Sequence, residues 1–322
     1  MFFQYKLELF VELFVILTFQ EPLGILKRFM NEIIEELITF RTPSGAPLRC
    51  DLRWDRKLIE ASSKKLPVVI ICHGFKAFKN WGPFPAIGRY FAGHGFVSIV
   101  LNFSHNGIGE EAKKFVEHEK FANNTISLEI EDVKTILNGI ESQNFPLPFV
   151  DSSQIALVGH SRGGGVSLIT AKEDGRVKAV AAWSTIAFFN RYTDEQKRRW
   201  REKGYVQLHS VSDQKLFRIN TSLLDDIENN GERLDILTAV ETLNKPLLLV
   251  HGTADIPVKI DEAEKLYSVA NKKFTKFVKL KNAGHLYGAK HPYKEESPIL
   301  NHVLDITSHW LHTYLQTEDS WK

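Results

Sequence analysis

Short apolar runs alternate along the chain with longer segments whose apolar residues recur at helical spacing. Apolar runs without polar alternation predict strands that are buried on both faces of a sheet. These runs lie at 68–72, 96–102, 155–159, 177–184, 247–251 and 275–280. Segments with helical spacing lie between them, near 84–93, 125–142, 260–270 and 299–315. The alternation predicts an α/β protein with a mostly parallel central sheet flanked by helices.

Two regions depart from this alternation. Runs at 33–40 and 48–54 flank the turn-rich segment 42–47, which predicts an opening β-hairpin. Between 185 and 243 a long polar segment interrupts the pattern, and we expect it to form a small helical cap. The basic run at 191–202 contains acidic residues at helical spacing, which favours a solvated helix face over a nucleic-acid or membrane patch.

Composition is that of an ordinary globular protein. The 322 residues are 43% hydrophobic, enough to bury a large core, and we expect one α/β domain over residues 31–322, with the segment 185–243 inserted in it. A formal net charge of +2 gives no argument for nucleic acid as a partner. The two cysteines, Cys50 and Cys72, fall in or beside predicted strands, where buried reduced thiols are the usual outcome. The expected location is therefore cytoplasmic.

Residues 1–30 form an apolar extension with three interpretations. Glu8 and Glu12 interrupt the apolar stretch, which is too short to span a bilayer. Lys6 alone provides a positive start, so an export signal would be poorly formed. An amphipathic helix that packs on the body or touches a membrane is the second interpretation. The third, which we favour, is translation from Met30, just before the predicted fold begins.

Ser161 is the strongest candidate for chemistry. It lies in Gly159-His160-Ser161-Arg162-Gly163, directly after the strand-like run 154–158. A serine on a sharp strand-to-helix turn takes a strained backbone conformation, and small residues two positions away leave room for that turn. Gly159 and Gly163 meet this requirement.

A serine nucleophile needs an imidazole to take its proton and a carboxylate to orient that imidazole. Asp255 follows the strand-like run 247–251 and is the candidate acid, with Asp225 or Asp226 as substitutes. His285 follows a later strand beside Gly284 and is the candidate base, with His291 as the fallback.

An oxyanion hole requires backbone amides near the nucleophile. The amide of Arg162 directly follows the serine, and that of Phe75 follows the strand 67–72. His73, Gly74, His160 and Lys76 are expected around the substrate, although His160 also suits local packing or hydrogen bonding.

No metal ion or cofactor is predicted. His309 and His312 share a helix face, but no carboxylate or cysteine cluster joins them in the sequence. The glycines around Ser161 match neither a P-loop nor a dinucleotide-binding pattern.

These motifs, in this order over about residues 38–315, resemble those of the α/β-hydrolase superfamily. The similarity is to its dienelactone-hydrolase-like and prolyl-oligopeptidase-like esterase branches. The resemblance implies the α/β-hydrolase fold and hydrolysis of a small-molecule ester through an acyl-enzyme. Dienelactone hydrolases use a cysteine nucleophile, whereas this chain has Ser161. The segment 102–109 also departs from the Asp-x-Arg-Gly-x-Gly stretch of many relatives, so pocket polarity there does not carry over.

Three functions fit the sequence. A carboxylesterase-type serine hydrolase is the favoured one. A serine peptidase or acyl thioesterase would use the same machinery, because the three catalytic residues do not select the leaving group. A non-catalytic binding protein of the same fold would be expected to lack one of the three, and every position is filled here.

Overall fold

An eight-stranded sheet lies at the centre of the part of the chain that the structure describes. The structure is a computed structural model and describes residues 32–61, 64–110, 115–142, 145–209 and 216–315. The strands of this sheet are β1 (Ile33–Arg41), β2 (Pro47–Asp55), β3 (Leu66–Cys72), β4 (Val97–Leu101), β5 (Val150–His160), β6 (Val177–Trp183), β9 (Leu247–Gly252) and β10 (Thr275–Leu280). Their spatial order is β1-β2-β4-β3-β5-β6-β9-β10.

The sheet is parallel from β4 to β10 and antiparallel at its first edge. Strand β1 pairs with β2, and β2 pairs with β4, in antiparallel register. The other pairs are parallel. The predicted opening hairpin and the mostly parallel sheet are therefore confirmed. Parallel strands place their carboxyl ends at one edge, where ligands bind in sheets of this kind.

Helices cover both faces of the sheet because successive strand residues point to opposite sides. In β3, Val68 and Ile70 join one hydrophobic core, whereas Val69 and Ile71 join the other. The described helices outside the insertion are α1 (Arg56–Ala61), α2 (Phe84–Gly93), α3 (His118–Ala122), α4 (Ile126–Glu141), α5 (Arg162–Glu173), α9 (Ile260–Val269) and α10 (Pro298–Tyr314). Helices α4, α5 and α9 contribute to the first core, and α2 and α10 to the second.

The insertion between β6 and β9 is only partly helical. It contains α6 (Asp194–Lys203), β7 (Tyr205–His209), β8 (Leu216–Asn220), α7 (Ser222–Asn229) and α8 (Ile236–Thr242). Strands β7 and β8 form a separate antiparallel pair, so the small helical cap predicted for this segment also contains two strands. Trp200 of α6 is 1% exposed and donates a hydrogen bond from Nε1 to the Ile219 carbonyl, 3.1 Å away. This contact fastens the helix to the hairpin.

The basic run of the insertion is a solvated helix face, as expected. Arg198 and Arg199 both pair with Glu195 on α6, and Arg198 also pairs with Glu202. All four side chains are about half exposed or more.

Among the described residues, no helix is long and apolar enough to cross a membrane. The apolar extension at residues 1–30 lies outside the described residues.

Candidate active site

The sharp turn predicted around Ser161 is present between β5 and α5. Ser161 has φ 55° and ψ −121°, a positive-φ conformation that residues with a side chain rarely adopt. Its amide donates to the Trp183 carbonyl of β6 at 2.9 Å, which ties the turn to the neighbouring strand. The serine therefore stands at the carboxyl edge of the sheet and at the first turn of a helix.

The glycines beside Ser161 allow the backbone to pack closely. A Cβ on Gly159 would lie 2.4 Å from the Gly163 carbonyl oxygen, and one on Gly163 would lie 2.4 Å from the carbonyl oxygens of Cys72 and His73. Real Cβ atoms do not approach oxygen this closely. Helix α5 can sit against the end of β3 only because these positions have no side chain.

The loop after β3 lies directly against Ser161. A Cβ on Gly74 would be 3.1 Å from the Ser161 Cβ and 3.3 Å from the His160 carbonyl oxygen. The next residue along this loop is Phe75, whose ring is half-buried. The loop that carries Phe75, a predicted oxyanion donor, thus lies close to Ser161. The amide of Arg162, the other predicted donor, is close because Arg162 directly follows Ser161 in the sequence.

Asp255 and His285 are paired in the loops that follow β9 and β10. His285 Nδ1 lies 2.8 Å from Asp255 Oδ2, and Asp255 is 6% exposed. A carboxylate only accepts, so Nδ1 carries the proton, and the other ring nitrogen of a neutral His285 is then free to accept one. The substitutes have other partners: Asp225 pairs with Arg201, Asp226 accepts from Ser127, and His291 accepts from the Gly82 amide.

His251 is a contact of Asp255 that the sequence did not single out. Its Nε2 lies 2.8 Å from the Val258 carbonyl oxygen and 3.3 Å from Asp255 Oδ2. The Val258 amide donates to the other carboxylate oxygen at 3.0 Å. Burial alone would raise the pKa of Asp255, but hydrogen bonds from His251, His285 and Val258 hold it well below its usual range. The motif His251-Gly-Thr-Ala-Asp255 was the available signal, since the histidine ends the strand whose loop carries the acid.

His160 supports the His285 loop. Its Nε2 donates to the His285 carbonyl oxygen at 2.8 Å, and the two imidazole centroids are 4.6 Å apart. Burial, together with the nearby His285, lowers the pKa of His160 to about 3, so this ring stays neutral at ordinary pH. The contact agrees with local hydrogen bonding rather than with a surface facing the substrate.

His73 lies beneath the oxyanion loop. It is 2% exposed, with Nδ1 2.9 Å from the Gly74 carbonyl oxygen and Nε2 accepting from the Phe103 amide at 3.4 Å. Burial lowers its pKa to about 4. Both ring nitrogens thus have partners within the protein, and the contact with substrate stays a prediction. Lys76, by contrast, is exposed, and its Nζ is 5.8 Å from the Phe75 ring centroid.

The Arg162 side chain has two specific contacts. Its guanidinium carbon lies 4.4 Å from the Phe75 ring centroid, and Nη2 pairs with Glu129 Oε1. Glu129, on α4, is 1% exposed. Burial raises the pKa of Glu129, and the Arg162 charge and the Asn124 amide offset this only in part. Nothing in the sequence marked Glu129, because it lies 33 positions before its partner.

Ser161 is only partly buried. Among the described residues, no hydrogen bond to the Ser161 hydroxyl is found, and contacts between nucleophile and base are often long before substrate binds. Cys72, near the same turn, is a poor rival because burial raises the pKa of its thiol to about 12.

The fold, together with the family match, identifies a member of the α/β-hydrolase superfamily. More narrowly, the chain belongs to peptidase family S9, the prolyl oligopeptidase family, which it matches over residues 84–316. The chain is also 25% identical over 263 residues to the uncharacterized peptidase YuxL of Bacillus subtilis (strain 168). That alignment covers 77% of this chain and 35% of YuxL, so the chain spans about a third of that relative's length.

Solved structures share the fold at low identity. The hypothetical protein PA2218 of Pseudomonas aeruginosa matches with a TM-score of 0.68 at 18% identity, covering 89% of this chain and 95% of that one. The esterase domain of a Rhodothermus marinus protein matches with a TM-score of 0.59 at 21% identity. The match covers 88% of this chain and 100% of that one. A dienelactone hydrolase of Anabaena variabilis matches with a TM-score of 0.57 at 15% identity. The match covers 88% of this chain and 99% of that one. The predicted fold class and superfamily are confirmed.

Proposed function

We propose that this protein hydrolyses carboxylic esters of small molecules as a carboxylesterase-type enzyme, with Ser161, His285 and Asp255 as its catalytic residues. The observation that carries the proposal is the 2.8 Å hydrogen bond between His285 and Asp255, in a loop that His160 joins to the nucleophile turn. A strained, glycine-flanked serine and an oriented imidazole are the parts that acyl transfer needs.

The first half of the proposed reaction forms an acyl-enzyme. Ser161 Oγ adds to the ester carbonyl carbon while its proton passes to His285 Nε2, and the carbonyl π electrons move to the oxygen. The amides of Phe75 and Arg162 bind that oxyanion. The intermediate then collapses, the carbon–oxygen bond to the alcohol breaks, and His285 returns the proton to the leaving alcohol.

The second half releases the acid. Water gives a proton to His285 and adds to the acyl carbon, and collapse of this intermediate breaks the bond to Ser161, which regains the proton. Asp255 stays ionised throughout, because its pKa lies well below the usual range. It therefore orients His285 and stabilises the imidazolium without being protonated itself.

A serine peptidase is the second candidate, supported by the family match and by the printed description of YuxL. An acyl thioesterase would use the same steps with a thiol as leaving group. An amide leaving group is harder to expel, so the same site would need closer positioning of His285 to protonate the departing amine.

The test compares leaving groups on one preparation. We expect turnover of p-nitrophenyl esters from acetate to palmitate to exceed that of Gly-Pro-p-nitroanilide by more than about 100-fold in kcat/KM, a difference of roughly 3 kcal/mol in barrier. A matching acyl-coenzyme A series tests thioesters. Ser161→Ala should lose activity on every substrate. Faster cleavage of the anilide would establish the peptidase instead, and equal turnover by Ser161→Ala would reject all three.

A non-catalytic binding role makes a different prediction. A binder of this fold should not react with a fluorophosphonate, whereas an activated serine is covalently labelled. Labelling without turnover of the ester, the anilide or the thioester would indicate an activated serine that acts on another class of acyl compound.

We also propose a cytoplasmic location. The support is that Cys50 and Cys72 are unpaired and buried, as expected for thiols in a reducing compartment. Fractionation of the producing cells tests this, and recovery of activity outside the cytoplasm would contradict it.

A further inference from the structure

The Arg162 side chain bridges the two residues whose amides form the proposed oxyanion hole. Its own amide is one donor, and its guanidinium carbon lies 4.4 Å from the ring centroid of Phe75, the other donor. An arginine plane over an aromatic face at this distance is an attractive contact. The two amides therefore belong to residues whose side chains touch.

The far end of this bridge is anchored in the protein interior. Arg162 Nη2 pairs with Glu129 Oε1, and the same oxygen accepts from Asn124 Nδ2 at 2.7 Å. The exposed fractions are 15% for the Arg162 side chain and 1% for that of Glu129. Removing one partner of an ion pair this deep strongly destabilises the folded protein, because the other charge is left buried without a partner. The guanidinium is thus held in one place.

Phe75 is held on a second contact as well. Its ring stacks on Phe121 with centroids 5.7 Å apart, and Phe121 contacts Phe217 of β8 at 5.2 Å. Phe217 belongs to the hairpin of the insertion. The position of the Phe75 loop is consequently set by Arg162 and by an aromatic contact that reaches the insertion.

We propose that the Arg162 side chain, anchored on Glu129, is a positioning residue that holds the amides of Phe75 and Arg162 at the spacing the oxyanion requires. This inference rests on the proposed function, because it assigns a part of that same site. Oxyanion donors act within a few tenths of an ångström, and losing one donor costs about 100- to 1,000-fold in kcat. A displaced donor should cost less than a lost one.

The test replaces the side chain while leaving the amide in place. Arg162→Met keeps the bulk without the charge, Arg162→Lys keeps the charge without the planar group, and Glu129→Gln removes the anchor. The control is Arg233→Lys, because Arg233 makes a two-point ion pair with Glu173 at 2.7 and 3.0 Å and takes no part in the proposed chemistry. Thermal unfolding of each variant checks that it is folded.

The readout separates transition-state from ground-state binding. A trifluoromethyl ketone adds to Ser161 Oγ, whose proton passes to His285, and the resulting hemiketal places an oxyanion in the hole. We expect Arg162→Met to lower kcat for p-nitrophenyl butyrate and to weaken this inhibitor by about 10- to 100-fold, with KM changed less than about threefold. Arg162→Lys and Glu129→Gln should lie between wild type and Arg162→Met. Arg233→Lys should match wild type.

Two results would overturn the inference. One is unchanged kcat and inhibitor affinity in folded Arg162→Met and Glu129→Gln. The other is a raised KM for p-nitrophenyl hydrogen glutarate alone, with butyrate unaffected, which would make Arg162 a substrate-carboxylate ligand. Failure of the proposed function would be seen separately, as a wild-type protein that neither turns over the ester nor is labelled by a fluorophosphonate.

Discussion

Asp255 is surrounded by donors that serve different purposes. His285 and His251 both approach Oδ2, at 2.8 and 3.3 Å, while the Val258 amide donates to Oδ1. Three donors fix the rotation of the carboxylate and keep it ionised. Because His285 donates a hydrogen bond from Nδ1 to Asp255, the opposite ring nitrogen is the one left to receive a proton from a nucleophile.

We predict that Asp255→Asn removes the function of His285 as a base. An amide can donate where the carboxylate only accepted, so His285 would carry its proton on Nε2 and could no longer act as the base. We expect kcat for p-nitrophenyl butyrate to fall on the order of 10³- to 10⁴-fold. Steady-state kinetics measures this.

Asp225→Asn is the matched control. Asp225 lies in the insertion, where its side chain is 44% exposed and paired with Arg201. Its substitution should leave kcat within about twofold, since exposed ion pairs contribute little. If Asp225→Asn were the more damaging change, the acid assigned here would be wrong.

Among the elements, α5 is the one whose placement decides the site. It begins at Arg162, directly after the strained serine, and its first turn packs on the end of β3. A helix N-terminus also favours the negative charge that develops on an oxyanion. The position of α5 thus governs the placement of both Ser161 and one proposed oxyanion donor.

We predict that Gly163→Ala pushes α5 away from β3. The new methyl would lie 2.4 Å from two backbone carbonyl oxygens, neither of which can rotate aside. We expect a loss of about 1–3 kcal/mol in the free energy of unfolding, with activity lost at temperatures where the variant remains folded. Urea unfolding and an ester assay measure the two effects.

Gly175→Ala is the comparison within the same region. Gly175 lies just after α5, and nothing is within 4 Å of the added methyl. Its stability should stay within about 0.5 kcal/mol of wild type. Equal behaviour of the two alanine variants would show that α5 tolerates displacement.

For the molecule as a whole, buried ionisable groups determine how stability depends on pH. His73 has an ordinary pKa of 6.5 in the unfolded chain and about 4 in the fold, because burial disfavours its charged form. Its neutral form is favoured above pH 6.5, and stability is lost as the pH falls toward 4. Asp132 has the opposite effect on the pH dependence. Burial raises its pKa to about 8, so its effect is a loss of stability as the pH rises.

We therefore predict a difference between wild type and His73→Asn. The variant cannot take up the proton, and the Asp132 contribution is common to both proteins. Between pH 6.5 and 4.5 the wild type should lose about 2 kcal/mol relative to the variant. Urea unfolding at pH 7.0, 5.5 and 4.5 tests this, and parallel stability curves would show that His73 does not titrate as described.

The sequence was informative where structure is local. Buried strands were visible as unbroken apolar runs, and the helix predicted at 84–93 is α2, Phe84–Gly93. The order of Ser161, Asp255 and His285 also placed these residues correctly after their strands. The pairing of β7 with β8 was missed, because two five-residue strands inside a polar segment give too short an alternation to distinguish from a helix.

Contacts between residues on different helices and strands could not be predicted from the sequence, for a different reason. Glu129 lies in the first turn of an amphipathic helix, where an acidic residue ordinarily faces solvent, yet it is 1% exposed and paired with Arg162. His73 stood beside the oxyanion glycine and was expected at the substrate, but its ring packs 4.8 Å from Phe103. Burial depends on which elements pack together, and spacing along one element does not specify that.

The measurement that tests the central claim most directly is site-specific labelling by a fluorophosphonate. Wild-type protein, Ser161→Ala and Asp255→Asn are incubated with the probe, digested and mapped by mass spectrometry. We predict one equivalent of label on the wild type, located on Ser161, with much slower labelling of Asp255→Asn and none of Ser161→Ala. An unlabelled wild type, or a label on another residue that persists in Ser161→Ala, would contradict the assignment of Ser161 as the activated nucleophile.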